Sequence, residues 1–335
     1  MNLQQFMADP HFQVSSLTAG INEAQSAPTL LASLGLFAES GINTTTFQLE
    51  YDGEVLTLVM PGERGESVQG QRKANRNKIT LSTVHLPVPI NIKADEITNT
   101  RAFGTQSEVE AVQTVVNKHL LHARNRLVAT RELMRAGAVT GKVLDGNGDL
   151  LVDLDAAFGI TNTAVEYNPA SKNAKALLTA GKTAARKKLG QGMVQRWLLM
   201  CGPEFFDAFS QADDVTKALA NKNGNSNDLV DDMTDGLNFH NVTVFAYDAA
   251  VNNEDGEEVP FIEPDMAYLI PMSPGLFMGH NAPADYVETV GTLGLPFYAK
   301  TELADLGKGI RGEAQSNPFY FCTRPAAIRR FKLPA

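Results

Sequence analysis

The stretch SEVEAVQTVVNKHLLHARNRLVATRELMRAG, residues 107–137, sets the architecture of this chain. Ser107 and Glu110 form Ser-x-x-Glu, a capping box in which the serine side chain takes the N3 amide and the glutamate reaches back to the cap amide. Behind it Val109, Val112, Val116, Leu120, Ala123, Leu127, Thr130 and Met134 recur at spacings of three and four, which is one face of a helix, and Gly137 offers a stop. The spacing predicts a helix over 107–136, roughly 40 Å long at about 1.5 Å per residue, long enough to act as a spine. His119, His122, Arg124, Arg126 and Arg131 fall on its other faces. His119 and His122 share a side, but no third histidine or carboxylate adjoins them in sequence, so they read as solvated or packing residues and not as a metal pair.

Upstream, residues 44–51 and 55–60 alternate apolar and polar side chains around Asp52-Gly53, a dipeptide suited to a tight hairpin turn. The following PGERGESVQGQRKANRNK, residues 61–78, is almost without apolar residues, and a second alternating run over 79–92 is broken by Pro87 and Pro89. Residues 44–92 therefore describe two strands carrying a long polar tip, a feature that compact domains seldom contain without a use. The tip is basic, with Arg64, Arg72, Lys73, Arg76 and Lys78 against Glu63 and Glu66. Two readings stand: a loop that faces water, and an arm whose charge selects an acidic surface on a neighbour. Residues 1–43 are rich in small polar residues and interrupted by Pro10 and Pro28. They predict an extended arm, too sparse in apolar groups to build its own core, that docks elsewhere, as on a neighbouring subunit.

Downstream, GKVLDGNGDLLVDL at 141–154 predicts two short strands joined at Gly146-Asn147-Gly148. Asp145, Asn147 and Asp149 match the start of a calcium loop, yet Leu150 stands where glycine is demanded and Ala156 where glutamate is needed, so a hairpin is the better reading. From Pro169 the texture is α/β. A helix is expected over 170–189, ending on Arg186, Lys187 and Lys188, then a buried strand over 195–200 containing Trp197, and a helix opening over 203–209. A polar loop at 221–227, a short helix at 228–233, strands at 242–247 and 258–262 around Asn253-Glu254-Asp255-Gly256, and an alternating return around 286–298 complete the pattern. The expected class is α+β, divided as 1–43, 44–92, 93–168, 169–282 and 283–335.

The chain is 335 residues long, with 43% hydrophobic and 20% charged residues, which excludes disordered and collagen-like classes. Its formal charge of −9 disfavours a sequence-reading nucleic-acid module. No apolar run reaches the roughly 18 residues that span a bilayer, and the opening MNLQQFMADP lacks a basic start and an apolar signal core, so a soluble, intracellular protein is expected. Cys201 and Cys322 have no CxxC or histidine companion, which predicts idle thiols. Gly307, Gly309 and Gly312 complete a GxGxxG, but the following EAQSNPFYF carries no helical stripe, so a glycine-rich turn is the better reading. No residues are nominated as catalytic, cofactor-binding or metal-ligating.

Six stretches carry a resemblance: FQLEYDGEVLTLVMPGERG at 47–65, IKADEIT at 92–98, RAFG at 101–104, GKVLDGNGDLLVDL at 141–154, APADYVETVGTLGLPFYAKTE at 282–302 and QSNPFYFCTRPAAIRRF at 315–331. Together they resemble the lambda-like major capsid protein E family of tailed phages, which has the Hong-Kong-97-like fold. The resemblance runs from about residue 44 to 331 and is weakest in the arm and around 221–227. It implies an extended loop over about 47–90 lying across an adjacent subunit, a spine helix in a peripheral domain, and an axial domain over 169–282 meeting its copies around five- and six-fold centres. It also implies a non-enzymatic head protein of the virion, assembled in the host cytoplasm without a cofactor. Hexamers and pentamers would close an icosahedral shell around double-stranded DNA. The implied partners are other copies of the chain, a scaffold, a portal at one vertex and a decoration protein. Arg64, Arg72, Lys73, Arg76 and Lys78 are then the candidate contacts between subunits. No motif singles out a lysine–asparagine pair for covalent cross-linking. Two rivals remain: a nanocompartment shell of the same fold, and an α/β nucleotide-binding enzyme using 307–312.

Overall fold

The expected spine is a single helix, Glu108–Thr140, in a computed structural model that describes residues 12–23, 29–51, 77–100, 108–190, 192–222, 236–252, 256 and 258–334. Ser107, and with it the capping box, lies outside those residues. Val112, Val116, Leu120, Ala123 and Leu127 are buried as the periodicity requires. The end of the helix differs from expectation: it passes Gly137 and stops at Gly141, whose φ of +88° suits a residue without a side chain and whose N–H donates to the Gly137 carbonyl at 2.8 Å. Gly137 has another purpose. A Cβ there would stand 2.7 Å from both the Lys142 carbonyl oxygen and the Val143 Cα, so its absence lets the following hairpin pack against the helix.

The chain divides into two units, Met1–Phe47 with Ser82–Arg135 and Met278–Tyr320, and Gln48–Leu81 with Ala136–Phe277 and Phe321–Ala335. The first unit is built on a three-stranded antiparallel sheet in the order Tyr298–Leu303, Gly309–Ser316, Leu86–Lys93, with Ile310 opposite Ile92 and Ala314 opposite Val88. Val88, Ile90 and Ile92 alternate into the core. Pro87 and Pro89 are tolerated because Leu86–Lys93 is an edge strand. The single run expected over 79–92 is thus two strands in different sheets, since Asn77–Ser82 pairs instead with Thr46–Tyr51. That pairing brings together the two ends of the polar-tipped segment, while the run at 55–60 lies outside the described residues.

The N-terminal segment is the clearest departure. Residues Val14–Glu23 form a helix with Leu17, Thr18 and Ile21 buried, and Asn22 Nδ2 donates to the Phe297 carbonyl at 2.8 Å. Phe12, Leu17 and Ile21 join Val112, Val116, Leu120 and Phe297 in one core. The segment thus docks on its own chain, because a few apolar residues at helical spacing suffice when the core is supplied by other elements. The alternating return expected around 286–298 is also different: Val287–Thr289 is a single 3-10 turn, and a strand begins only at Tyr298.

The second unit contains a six-stranded sheet in the order Val165–Glu166, Arg329–Lys332, Met266–Met272, Arg196–Cys201, Val242–Ala246, Leu237–Phe239. Helices Ala174–Leu189, Pro203–Ser210 and Asp213–Lys222 accompany it, and Leu178, Phe205, Phe209, Val244, Leu269 and Phe331 share its core with Trp197. The first of these helices starts at Ala174 and not at 170, because Asn168 holds the preceding turn: its side chain accepts from Ala170 N–H at 3.0 Å and its carbonyl from Lys172 N–H at 2.9 Å. The hairpin Lys142–Leu144 with Leu150–Asp153 is present. Asp145 Oδ1 accepts the N–H groups of Asn147 at 2.8 Å and Asp149 at 2.9 Å, so that carboxylate is engaged by the turn itself. The short helix expected at 228–233 lies outside the described residues.

Candidate assembly surfaces

Of the five candidate contact residues, Lys78 is exposed on strand Asn77–Ser82. Arg64, Arg72, Lys73 and Arg76 lie outside the described residues. The described surface of the first unit offers a different feature, which the sequence reading missed by treating the region as an alternating strand. Val287 is 88% exposed, Val290 79%, Leu293 68% and Leu295 45%. Four large apolar side chains facing water within nine residues is what a surface awaiting a protein partner presents. The signal available beforehand was the spacing of glycine, Gly291 and Gly294, which breaks the alternation.

Beneath this surface the first unit holds a buried charge cluster. Arg131, Glu132 and Arg135 are 2%, 2% and 7% exposed, although the helical stripe assigned Arg131 to an outer face. Glu39, on strand Phe37–Gly41, accepts from Arg131 Nη2 at 2.7 Å and from Arg135 Nη2 at 2.7 Å, and Tyr320 Oη donates to it at 3.0 Å. Arg131 Nη1 also donates to Asn281 Oδ1 at 2.9 Å and Ser316 Oγ at 2.8 Å. Glu132 accepts from Thr29 Oγ1 at 2.7 Å and Leu31 N–H at 2.5 Å, and pairs with Arg135 at 3.2 Å. Burial pushes the Glu39 carboxyl up, but the two guanidiniums outweigh it, and the net position is below the ordinary carboxylate value. The arrangement clamps residues 29–39 onto the helix. It is a structural network in which two guanidiniums and two carboxylates neutralise one another.

The remaining chemistry-bearing residues are dispersed. His119 meets Glu96 at 2.9 Å, a carboxylate from a distant part of the sequence, and His122 is exposed. Cys201 and Cys322 are buried and free; burial pushes the Cys322 thiol up to about 12 and raises Cys201 as well, which leaves both unreactive as nucleophiles. Gly307 closes a 3-10 turn and Gly309 and Gly312 lie in strand Gly309–Ser316, so no helix N-terminus follows this GxGxxG. Among the described residues no group of three or more His, Cys, Asp or Glu side chains is placed to hold a metal ion. Nor is any described helix long and apolar enough to cross a membrane.

The exposed apolar side chains at 287–295 are the kind of surface that a structural or assembly protein presents. Comparison with known proteins agrees. Residues 13–333 match the phage major capsid protein E family, and the chain belongs to that family. The major capsid protein of Salmonella phage Felix O1 is 26% identical over 164 residues, 49% of this chain and 45% of that relative. This chain thus aligns with less than half the length of that curated relative. Among solved structures, a protein described as the capsid protein of a prophage in E. coli CFT073 superposes with a TM-score of 0.59 at 15% identity, covering 96% of this chain and 99% of the other. The capsid of cyanophage P-SCSP1u gives 0.50 at 12%, covering 93% and 91%. The fold is therefore Hong-Kong-97-like, and the family to which the chain belongs is one of structural capsid proteins.

Proposed function

We propose that this chain is the repeating subunit of a closed icosahedral head, packed as hexamers and pentamers around the double-stranded DNA of a tailed phage and assembled in the host cytoplasm. The observation that carries the proposal is the family match across residues 13–333. The exposed apolar side chains at 287–295 support it, because they gain from burial against another subunit. The formal charge of −9 supports loose enclosure of DNA, since a wall that gripped phosphates would impede packaging and release. In this reading residues 44–92 extend across an adjacent subunit, 93–168 form the peripheral domain around the long helix, 169–282 form the axial domain, and 283–335 return to the periphery. A scaffold guides assembly, a portal occupies one vertex, and a decoration protein is accommodated on the outside. A nanocompartment shell is the same-fold rival; membership of a phage capsid family favours the head.

The basic tip is the test. Arg64, Arg72, Lys73, Arg76 and Lys78 would meet acidic groups on the neighbour, where charge complementarity sets partner and register. Replacing Arg72 and Lys73 by Glu is expected to abolish shells in sedimentation and electron microscopy while the subunit's circular dichroism and melting stay native. Normal shells from that variant would remove the charge-pairing role of the tip.

A further inference from the structure

The second unit carries opposite charges at the two ends of one strand pair. Strands Arg196–Cys201 and Val242–Ala246 run parallel, with Thr243 opposite Leu198 and Ala246 opposite Cys201. At their N-terminal end a cleft of about 470 Å³ is lined by Lys182, Arg186, Arg196, Trp197, Asn238 and Asn241, and none of its lining residues is a carboxylate. The cleft is held in shape: the Arg186 guanidinium lies 5.5 Å from the centre of the Trp197 ring, Lys182 Nζ donates to the His240 carbonyl, and Thr243 Oγ1 donates to Asn238 Oδ1 at 3.0 Å. Burial first, and the like charge of Arg186 second, press the Lys182 ammonium below its usual range. Positive charge is thus concentrated here without a counter-charge in the cleft, in a protein that is acidic overall.

At the C-terminal end of the same two strands, where Tyr247 N–H donates to the Cys201 carbonyl at 2.8 Å, a second cleft of about 320 Å³ is lined by Pro203, Tyr247, Ile262 and Pro264 together with Asp248 and Glu258. Both carboxylate residues are exposed. At about 3.3 Å per residue the two ends stand roughly 17 Å apart.

A body with a basic pole at one end and an acidic pole at the other adds to itself head to tail. Each addition leaves one free pole of either sign, so growth stops only when the ring closes. We propose that the basic cleft of Lys182, Arg186 and Arg196 receives the Asp248–Glu258 end of a second copy of this chain, a heterologous contact that sets subunit register within the ring. The inference rests on the assembly reading above and names the surfaces that reading leaves open. Nucleic-acid phosphate is the competing occupant, and it is disfavoured because the complementary pole is present on the same unit and in fixed relation to the cleft.

The experiment is a charge swap in the full chain. One variant carries Arg186→Glu and Arg196→Glu, a second Asp248→Lys and Glu258→Lys, and a third all four; each is followed by sedimentation velocity and electron microscopy, with melting as the folding control. Each reversal should lower the assembled fraction about tenfold, equivalent to about 1.4 kcal/mol per contact, and the four-site variant should recover to within about twofold of the parent. If a reversal lowers the melting temperature, Arg186→Gln with Arg196→Gln replaces it, and a smaller loss relative to the parent is expected, one that narrows with added salt as the parent's own contact is screened. Reversals that assemble like the parent, a four-site variant that melts natively yet does not recover, or shells that form normally but hold less DNA would each overturn the proposal. Failure of the parent chain itself to assemble would instead overturn the assembly reading, and this contact with it.

Discussion

Arg131 holds four separate parts of the first unit together through Glu39, Asn281, Ser316 and the Phe297 ring, whose centre lies 5.0 Å from its guanidinium carbon. Removing one member of such a buried set leaves the others charged and desolvated, so Arg131→Ala should cost about 3–5 kcal/mol in urea unfolding; a loss below about 1 kcal/mol would show that the cluster is solvated. Glu39 gives a pH prediction of definite sign. Its folded-state carboxyl lies below the ordinary value, so the stability it contributes is fully present above the unfolded value of about 4.3 and is lost as pH falls through the lowered one. The melting-temperature gap between the parent and Glu39→Gln should therefore be wide at pH 6 and close toward pH 3. A gap independent of pH would contradict the ion pairing. None of this cluster was legible beforehand, because a 3.6-residue stripe assigns a charged residue outside it to solvent. The hint was local: Arg131, Glu132 and Arg135 stand in a run whose neighbours Leu133, Met134, Ala136 and Val139 are all apolar, and a helix that is apolar on every side is buried on every side.

At the level of elements, the long helix and the hairpin at 141–154 were readable because both are specified by local periodicity and turn chemistry. The junction between them was not. Gly137 reads as a stop in sequence, but it is a point of contact between helix and hairpin, and only the tertiary partner reveals that. Gly137→Ala should destabilise the protein by about 1–3 kcal/mol through overpacking against Lys142 and Val143, whereas Gly146→Ala, where a Cβ would meet nothing within 4 Å, should change stability little; equal effects would argue against the close approach. The N-terminal helix shows the complementary lesson. Leu17 and Ile21 were too few to predict a core by themselves, yet they complete one built by Val112, Val116 and Leu120. Ile21→Ala should cost about 2–5 kcal/mol and raise amide exchange over 14–23 before the rest of the first unit, and uniform exchange across the unit would indicate that the helix is not a separate layer.

At the level of the whole molecule, each unit is assembled from three separated stretches of chain, an interleaving that local periodicity and turn chemistry do not encode. The six quoted stretches pointed to the family, and the match over 13–333 bears that family out. The assembly surfaces were harder to read. The basic tip was visible as composition; the apolar residues at 287–295 were visible but their exposure was not; and the two clefts of the second unit needed a fold to bring their residues together. In the proposed function this chain closes a shell with copies of itself. Electron microscopy of the purified full-length protein, with and without a coexpressed scaffold, tests it most directly. Closed particles built of rings of five and six subunits are the predicted result; a monomer or dimer that forms no rings under either condition would contradict it.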